Sequence, residues 1–528
     1  MVESEIETLP DEVLEFILSL IPPYRDLHDC MQVSKRWRRC VLNVVKTKQR
    51  NLYRAINEFD VKWERITPLD MAPTISKRYS HTAVVHDNSM YVFGGCTCAM
   101  TTFNDLWRLD LSKRQWIRPL AMGTYPSPKA CSSLIKHGNT LILFGGWAYP
   151  PSYPLYQSWH LFNELHVYDV VANRWTSMTT VNTPPPVAGH SVSVIGDWMI
   201  VFGGLQKPCN AVHCEKSNDI WKLHLSSWTW FKQEVEGGPK PNGRFGQTQV
   251  VLDDENLLIL GGSGGPTFHY CDGWLLKMKG ELWKWTKIEI LGKQNEPSNI
   301  WSNPGCKMGD KIVVLNRIRE PEASPIAYYP KATWTMNVNR MSPEDGRLAR
   351  IDLAGRRTDR DDNVNGKRGT LRNQKREAEE EEGHVGAHIK ITPLPGTSGL
   401  NMAAFQSNDR RQSEHAEKMR EKRLACLVKN EEILLQAFKK EKKTHHLGVY
   451  VLDIAGILEP PHRATWLPPK NMRNGPEETI LYTLVEGKSE LVMFGGIQKD
   501  ANSLGLSKNL SNQISNSLHF VMAPNYVI

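Results

Sequence analysis

One phrase returns along this chain and limits what it can fold into. A short apolar strand closes on Gly-Gly, a loop of variable length follows, an acidic residue leads into a second apolar strand, and a Trp ends the unit. Residues 90–95, 105–109 and Trp116 form the first copy, and residues 141–146, 164–168 and Trp175 the second. Residues 199–204, 219–223 and Trp230 form the third, and residues 257–262, 272–276 and Trp285 the fourth. Gly94, Gly145, Gly203 and Gly261 stand 51, 58 and 58 residues apart. Far downstream, residues 491–496 repeat the opening and end on Gly495-Gly496.

A period near 50 with four strands per unit predicts an all-β propeller. Each unit is too small to bury its own faces and must stack on its neighbours. The pairs Gly94-Gly95, Gly145-Gly146, Gly203-Gly204, Gly261-Gly262 and Gly495-Gly496 suit a crowded strand end, where positive φ and close backbone approach are needed. Trp116, Trp175, Trp230 and Trp285 supply large apolar area between blades. The acidic residue before the third strand is read as an acceptor for backbone N–H groups in the turn.

Two copies are incomplete. Residues 311–315 open a fifth, with Asn316-Arg317 in place of Gly-Gly, but its third strand is found only at 448–453, followed by Trp466. A sixth covers 479–485, 491–496 and 517–522 and lacks its final Trp strand. Residues 61–66, with Trp63, form a strand without partners of its own. The reading is a six-bladed ring in which Trp63 completes the last blade and removes the open edge. The expected division is a helical domain over 1–55, blades one to four with the start of blade five over 60–316, an insertion over 317–447, and the rest over 448–528. The repeated phrase resembles the kelch repeat.

Residues 1–55 read differently. Thr8, Pro10, Asp11 and Glu12 look like a helix start, and Val13, Leu14, Phe16, Ile17, Leu20 and Ile21 recur at helical spacing up to Pro22-Pro23. Two further short helices are expected, the last around Trp37, Cys40, Val41, Leu42 and Val45. So small a unit with surplus apolar surface is expected to dock on something. Residues 9–14, with Ile17, Leu18, Pro22, Asp26, Leu27 and the run 33–37, resemble the F-box. That resemblance implies binding to the Skp1 adaptor of cullin–RING ubiquitin ligases. Leu9, Pro10, Val13, Leu14 and Ile17 would face the adaptor, and Val33 and Trp37 would shape that surface. Helical unit and ring together resemble the F-box/kelch-repeat family.

Composition bounds the rest. The chain of 528 residues is 40% hydrophobic and 23% charged, and no apolar run approaches the roughly 18 residues of a membrane span. Three acids stand in the first seven residues, and no signal-peptide pattern follows. Ten scattered cysteines fit a reduced compartment, so a cytoplasmic or nuclear setting is expected. Cys209, His213 and Cys214 lack a fourth metal ligand, and neither metal nor cofactor is expected. The net charge of +8 lies partly in runs such as Lys35–Arg39 and Lys439–Lys443 without a recognition-helix pattern, so nucleic acid is not an expected partner. Residues 340–383 are dense in Arg, Asp and Glu, and the insertion is expected to be disordered, with a possible helix over 410–442.

Long loops after the second strand share one face of such a ring, which marks the expected binding face. Arg78, Lys129, His190 and Arg244 precede the first strands. By resemblance, basic residues there take acidic peptides at the channel mouth, and Arg favours bidentate carboxylate contacts. Pairing with blade acids is the competing role. Trp147, Tyr149 and Tyr153 are candidate aromatic anchors. No nucleophile elbow, phosphate loop or zinc-hydrolase pair occurs. The expected function is a non-catalytic substrate receptor: the F-box holds Skp1, with cullin and RING subunit behind it, and the ring holds a protein to be ubiquitinated for proteasomal degradation. The alternative is a kelch scaffold or cytoskeletal adaptor without turnover.

Overall fold

The computed structural model describes residues 5–67, 72–97, 101–149, 160–207, 214–265, 268–302, 304–319, 445–470, 475–498 and 513–524. Residues 320–444 of the expected disordered insertion, with its 410–442 helix and with Cys209, His213 and Tyr153, lie outside them, whereas Arg317 and Leu447, expected within the insertion, pair as strand ends of the β region. A small N-terminal helical region is followed by a large all-β region of propeller-like sheets, interrupted by residues 320–444.

Three helices open the chain: α1 (Asp11–Ser19), α2 (Arg25–Asp29) and α3 (Lys35–Glu58). Pro10 occupies the cap position of α1 without a side-chain cap bond, so Thr8 does not cap it. Ser34 caps α3 by accepting from the Trp37 amide at 3.2 Å. Leu14, Leu18, Leu27, Cys40, Val41 and Val44 bury one another in a helical core. The third helix is far longer than the short segment expected. Leu52, Ala55, Ile56 and Phe59 fall at i, i+3, i+4 and i+7 and enter a different core, with Met308, Val313, Leu315, Val449, Leu491 and Met493 of the β region. One helix thus belongs to two cores, and the boundary expected at residue 55 falls inside it.

The sheets are antiparallel meanders. The first pairs Thr82–His86, Ser89–Phe93, Leu106–Asp110 and Gln115–Ile117 in order. The next three repeat this, from Ser133–His137 to Arg174–Met178, from Ser191–Ile195 to Thr229–Gln233, and from Thr248–Asp253 to Lys284–Lys287. A fifth sheet joins Gly305–Met308, Lys311–Arg317, Leu447–Asp453 and Arg463–Trp466. Its two central strands pair over seven positions, from Lys311↔Asp453 to Arg317↔Leu447. The last sheet runs Thr483–Glu486, Leu491–Phe494, Leu518–Met522 and then Lys62–Ile66, with Trp63 opposite Val521. The N-terminal strand therefore completes the C-terminal sheet.

The repeated glycines serve the seam between sheets. The second glycine of each pair donates its N–H to a carbonyl of the following sheet: Gly95 to Lys129, Gly146 to Val187, Gly204 to Arg244, Gly262 to Ile300 and Gly496 to Arg78, at 2.7–2.9 Å. The first glycine lets that backbone in. A Cβ on Gly94 would stand 2.4 Å from the Lys129 carbonyl oxygen, and one on Gly261 would stand 2.4 Å from that of Ile300. The aromatic before the pair packs on the outer Trp of the next sheet, as in Phe93–Trp175, Phe144–Trp230, Phe202–Trp285 and Phe494–Trp116, with centroids 4.8–5.6 Å apart.

A second set of bonds runs around the axis. Ser80, Cys131, Gly189, Gly246, Ser302 and Leu481 precede the six first strands, and all have φ between 50° and 66°. The N–H of Ser80 donates to Leu481, Cys131 to Ser80, Gly189 to Cys131, Gly246 to Gly189 and Ser302 to Gly246, at 2.8–3.1 Å. This belt surrounds an axial cavity of about 290 Å³ lined by residues in or just before the first strands of the six sheets. Four of the six are not glycine, so positive φ, which costs of order 1 kcal/mol in such residues, is held by the stacked sheets.

Candidate functional site

Two surfaces lie at opposite ends of the β region. The helical unit meets the turns between first and second strands. Tyr53 donates its hydroxyl to Asp310, and Tyr24 donates to Glu490. Arg114, from the first sheet, grips the same Glu490 carboxylate with two bonds of 2.7 and 2.6 Å. Glu490 is 2% exposed, so this charge is removed from water and neutralised by a forked donor. Burial, then the neighbouring Glu490 charge, raises the Tyr24 pKa, so its hydroxyl stays protonated and donates. The second-to-third-strand loops lie at the other end, where neighbouring strands reverse direction.

On the helical unit the exposed apolar side chains form a row. Val13, Phe16, Ile17 and Leu20 are 41, 51, 37 and 70% exposed, and Val33 is 58% exposed. Spacing of i, i+3, i+4 and i+7 puts the first four on one face of α1 and its end. Pro10 is exposed, and Leu9 and Trp37 are half-buried. Leu14 is fully buried in the helical core, which corrects its expected place on the adaptor surface. Phe16 and Leu20, which share helical spacing with Val13 and Ile17, join this face beyond the residues expected to meet the adaptor. Arg36 holds the segment before α1 by donating to the Glu7 carbonyl at 2.8 Å, to the Leu9 carbonyl, and to Asp11 at 2.7 Å.

The loop face departs from expectation. Arg78, Lys129 and Arg244 have no exposed surface. Arg78 makes a forked pair with Asp105 at 2.7 and 2.9 Å and also donates to the Gly94 carbonyl. Arg244 does the same with Asp272 at 2.6 and 3.1 Å and with Gly261. Lys129 reaches Glu164 at 2.8 Å. Each cation also lies over an aromatic ring of its loop, Phe103, Phe162 or Tyr270, at 4.1–4.4 Å. Burial pulls the Lys129 ammonium below its usual range against the attraction of Glu164. Burial alone would push the Asp105 carboxyl up, but the hydrogen bonds and charge of Arg78 leave it below its usual value. As placed, these cations offer nothing to an acidic peptide, which corrects their assignment. In the first, second and fourth copies the acidic residue of the repeated phrase is their partner, not chiefly a turn acceptor, whereas Asp219 of the third reaches Lys232 at 3.0 Å.

His190 is 9% exposed; its ring lies 5.3 Å from Phe144, and its Nε2 pairs with the Ser133 hydroxyl at 3.0 Å. Burial pushes its pKa down to about 3, which keeps it neutral and inside the seam. Trp147 is 1% exposed and packs with Tyr79, Ala130, Phe245 and Trp301 in a cluster beneath the loops. It is core rather than an anchor, a second correction. Tyr149 stands edge-on to Trp147 at 4.9 Å and is half-buried. Among the described residues no group of acids, cysteines and histidines could hold a metal, and no helix is long and apolar enough to cross a membrane.

With this geometry in hand, the comparisons fall into place. Residues 78–285 match the family model described as "FBX42, beta-propeller domain", and residues 6–45 match the model described as "F-box-like". Kelch domain-containing protein 3 of Bos taurus is 26% identical over 271 residues, covering 49% of this chain and 67% of that protein. Kelch domain-containing protein 1 of Mus musculus is 27% identical over 245 residues, covering 40% of this chain and 58% of the relative. The solved structure titled "Structure of YjhT" aligns with a TM-score of 0.43 at 11% identity, covering 84% of this chain and 95% of that chain, and carries no argument at that level.

Proposed function

We propose that this chain, in which an F-box-like domain and an FBX42-type β-propeller domain are both present, is a non-catalytic substrate receptor of a Skp1–cullin–F-box ubiquitin ligase. The observation that carries the reading is the exposed row Val13, Phe16, Ile17, Leu20 and Val33 on a helical unit locked to one end of the ring. Burying that row against an adaptor is worth a few kcal/mol by area. The adaptor would bring cullin and RING subunit, and ubiquitin transfer would be theirs.

The ring is read as six-bladed, closed by Lys62–Ile66 and stiffened by the axial belt. The target is placed on the loop face, away from the adaptor. Work done by this subunit is then proximity: it raises the local concentration of target at the transfer enzyme. A rigid junction serves that purpose, because Tyr24, Tyr53 and the end of α3 leave the adaptor unit little freedom against the ring.

The test is affinity capture with the full chain and with a Val13→Asp, Phe16→Asp, Ile17→Asp variant. These side chains are exposed, so the ring should fold in both. Loss of adaptor and cullin, with other captured proteins retained, is expected. Unchanged adaptor capture by the variant would overturn the reading. Proteins held by the ring should accumulate when the proteasome is blocked; a client that does not accumulate would instead make the ring a scaffold.

A further inference from the structure

Among the described residues, one large apolar side chain on the second-to-third-strand loops is exposed: Phe268, at 56%. Isolated exposed apolar residues are ordinary on protein surfaces. This one is built to stay where it is. Its hairpin pairs Ser263–Gly265 with Phe268–His269. The Ser263 hydroxyl donates to the carbonyls of Gly265 and Phe268 at 2.8 and 3.2 Å and accepts from the Gly265 amide at 3.0 Å.

Below the ring of Phe268 stands Tyr270, edge-on at 4.9 Å and 90°. Tyr270 covers the Arg244 guanidinium at 4.1 Å, and Arg244 is fixed to Asp272 in the interior. A Cβ on Gly264 would come within 2.9 Å of the Phe268 ring and 2.8 Å of the Tyr270 hydroxyl, so glycine here lets the two rings stand as they do. The finger therefore rests on a column that ends in the buried Arg244 and its forked pair with half-buried Asp272. An aromatic held this way loses little entropy when it is buried by a partner, which is the property of an interface anchor.

Its setting has a sign. The Lys216 ammonium donates to the Gly264 carbonyl at 2.6 Å, which brings it beside the same hairpin, and Lys216 is otherwise exposed. Lys240, also exposed, stands on the segment that runs along Ser217 and Asn218, where Asn218 donates to the Pro241 carbonyl at 3.0 Å. Glu215 is the exposed carboxylate next in sequence.

We propose that Phe268 is the aromatic anchor for the ring's protein target, and that it enters an apolar pocket on a partner whose rim carries an anionic group facing Lys216. The inference rests on the reading of the loop face as the target-binding face. A carboxylate and a phosphorylated side chain share the chemistry that Lys216 would meet.

The experiment quantifies captured proteins with the full chain, with Phe268→Ala, with Phe268→Tyr and with Lys216→Glu, in cells with the proteasome blocked, and repeats the capture after phosphatase treatment. Phe268→Ala should reduce capture of the ring-dependent proteins by about 30-fold, as truncation of a hot-spot aromatic does. Phe268→Tyr should restore most of it, Lys216→Glu should lower it by about tenfold, and adaptor recovery should be equal throughout. Sensitivity to phosphatase assigns the anion to phosphate, and insensitivity assigns it to a carboxylate. A ring-dependent set unchanged in Phe268→Ala overturns this inference alone. A full chain that captures the adaptor and nothing through the ring overturns both this inference and the reading beneath it.

Discussion

The amide of Ser80 donates to the carbonyl of Leu481 across 3.1 Å, and so joins the start of the first sheet to the start of the last. Together with the pairing of Trp63 and Val521, it ties the two ends of the β region at the axis and at the outer edge. Closure at two radii means that neither end can fray without exposing a whole seam.

Deletion of residues 60–67 should therefore lower the unfolding temperature of the entire ring in one transition. Trp63→Ala alone should cost about 2 kcal/mol, somewhat less than a fully buried Trp, because Trp63 is partly exposed. Thermal unfolding followed by Trp fluorescence checks it; an unchanged transition after the deletion would contradict closure.

The two halves of α3 should respond differently to truncation. Ile56→Ala removes a buried side chain from the β-region core and should destabilise the ring by about 2–4 kcal/mol. Val41→Ala, in the other half of the helix, removes a side chain from the helical core alone and should leave the unfolding of the ring nearly unchanged. Equal effects in denaturant unfolding would argue against the double membership of this helix.

Arg78 and Arg244 should behave as structural pins. Removing either with Ala leaves a half-buried carboxylate with only its Trp indole donor and should cost about 1–3 kcal/mol. Unfolding midpoints give the answer. A variant of normal stability that loses a ring-bound protein would return these residues to a recognition role.

Stability should fall with acid from an unusually high starting point. Burial holds His81 and His190 at about 3, well below the unfolded value near 6.5. The unfolded chain binds protons at these sites from about pH 6.5 downward, while the folded chain refuses them until about pH 3. Each site should therefore remove up to about 1.4 kcal/mol per pH unit across that window. Denaturant unfolding between pH 7 and 5 measures the slope, and His190→Gln should flatten it by about one proton.

Residues 320–444 should be dispensable for the ring. The Ile318 amide donates to the His446 carbonyl at 2.9 Å, so the chain leaves and re-enters at one point. Replacing 320–444 by a short turn shortens a loop whose closure cost grows by about 0.6 kcal/mol per doubling, and should stabilise the ring by up to about 3 kcal/mol or leave it unchanged. A lower unfolding temperature would show that the excised segment packs on it.

Much of the site was legible in the amino acids. Val13, Phe16, Ile17 and Leu20 announce an apolar face by spacing, and the helical unit's need to dock follows from its size. Leu52, Ala55, Ile56 and Phe59 carry the same spacing for the far end of α3, beyond the short helix expected around Val45. Leu14 was misplaced because two apolar stripes share one helix, and spacing alone does not say which stripe its own core takes.

What the sequence by itself determined was the repeating unit. Gly-Gly, the acid and the Trp recur because every seam imposes the same close approach and the same aromatic contact, a constraint local enough to leave a pattern. What tertiary structure decided was which way the charged groups face. Arg78, Lys129 and Arg244 stand where a channel mouth would display them, yet each finds a carboxylate just before the third strand of its own sheet that folding brings within 3 Å. A cation with such a partner and an aromatic cover is more stable inside than in water with neither, and that balance is set by neighbours distant in sequence. The same holds for Phe268: its residue type is visible in the chain, but the column of Tyr270, Arg244 and Asp272 that keeps it upright exists only once the sheets have closed.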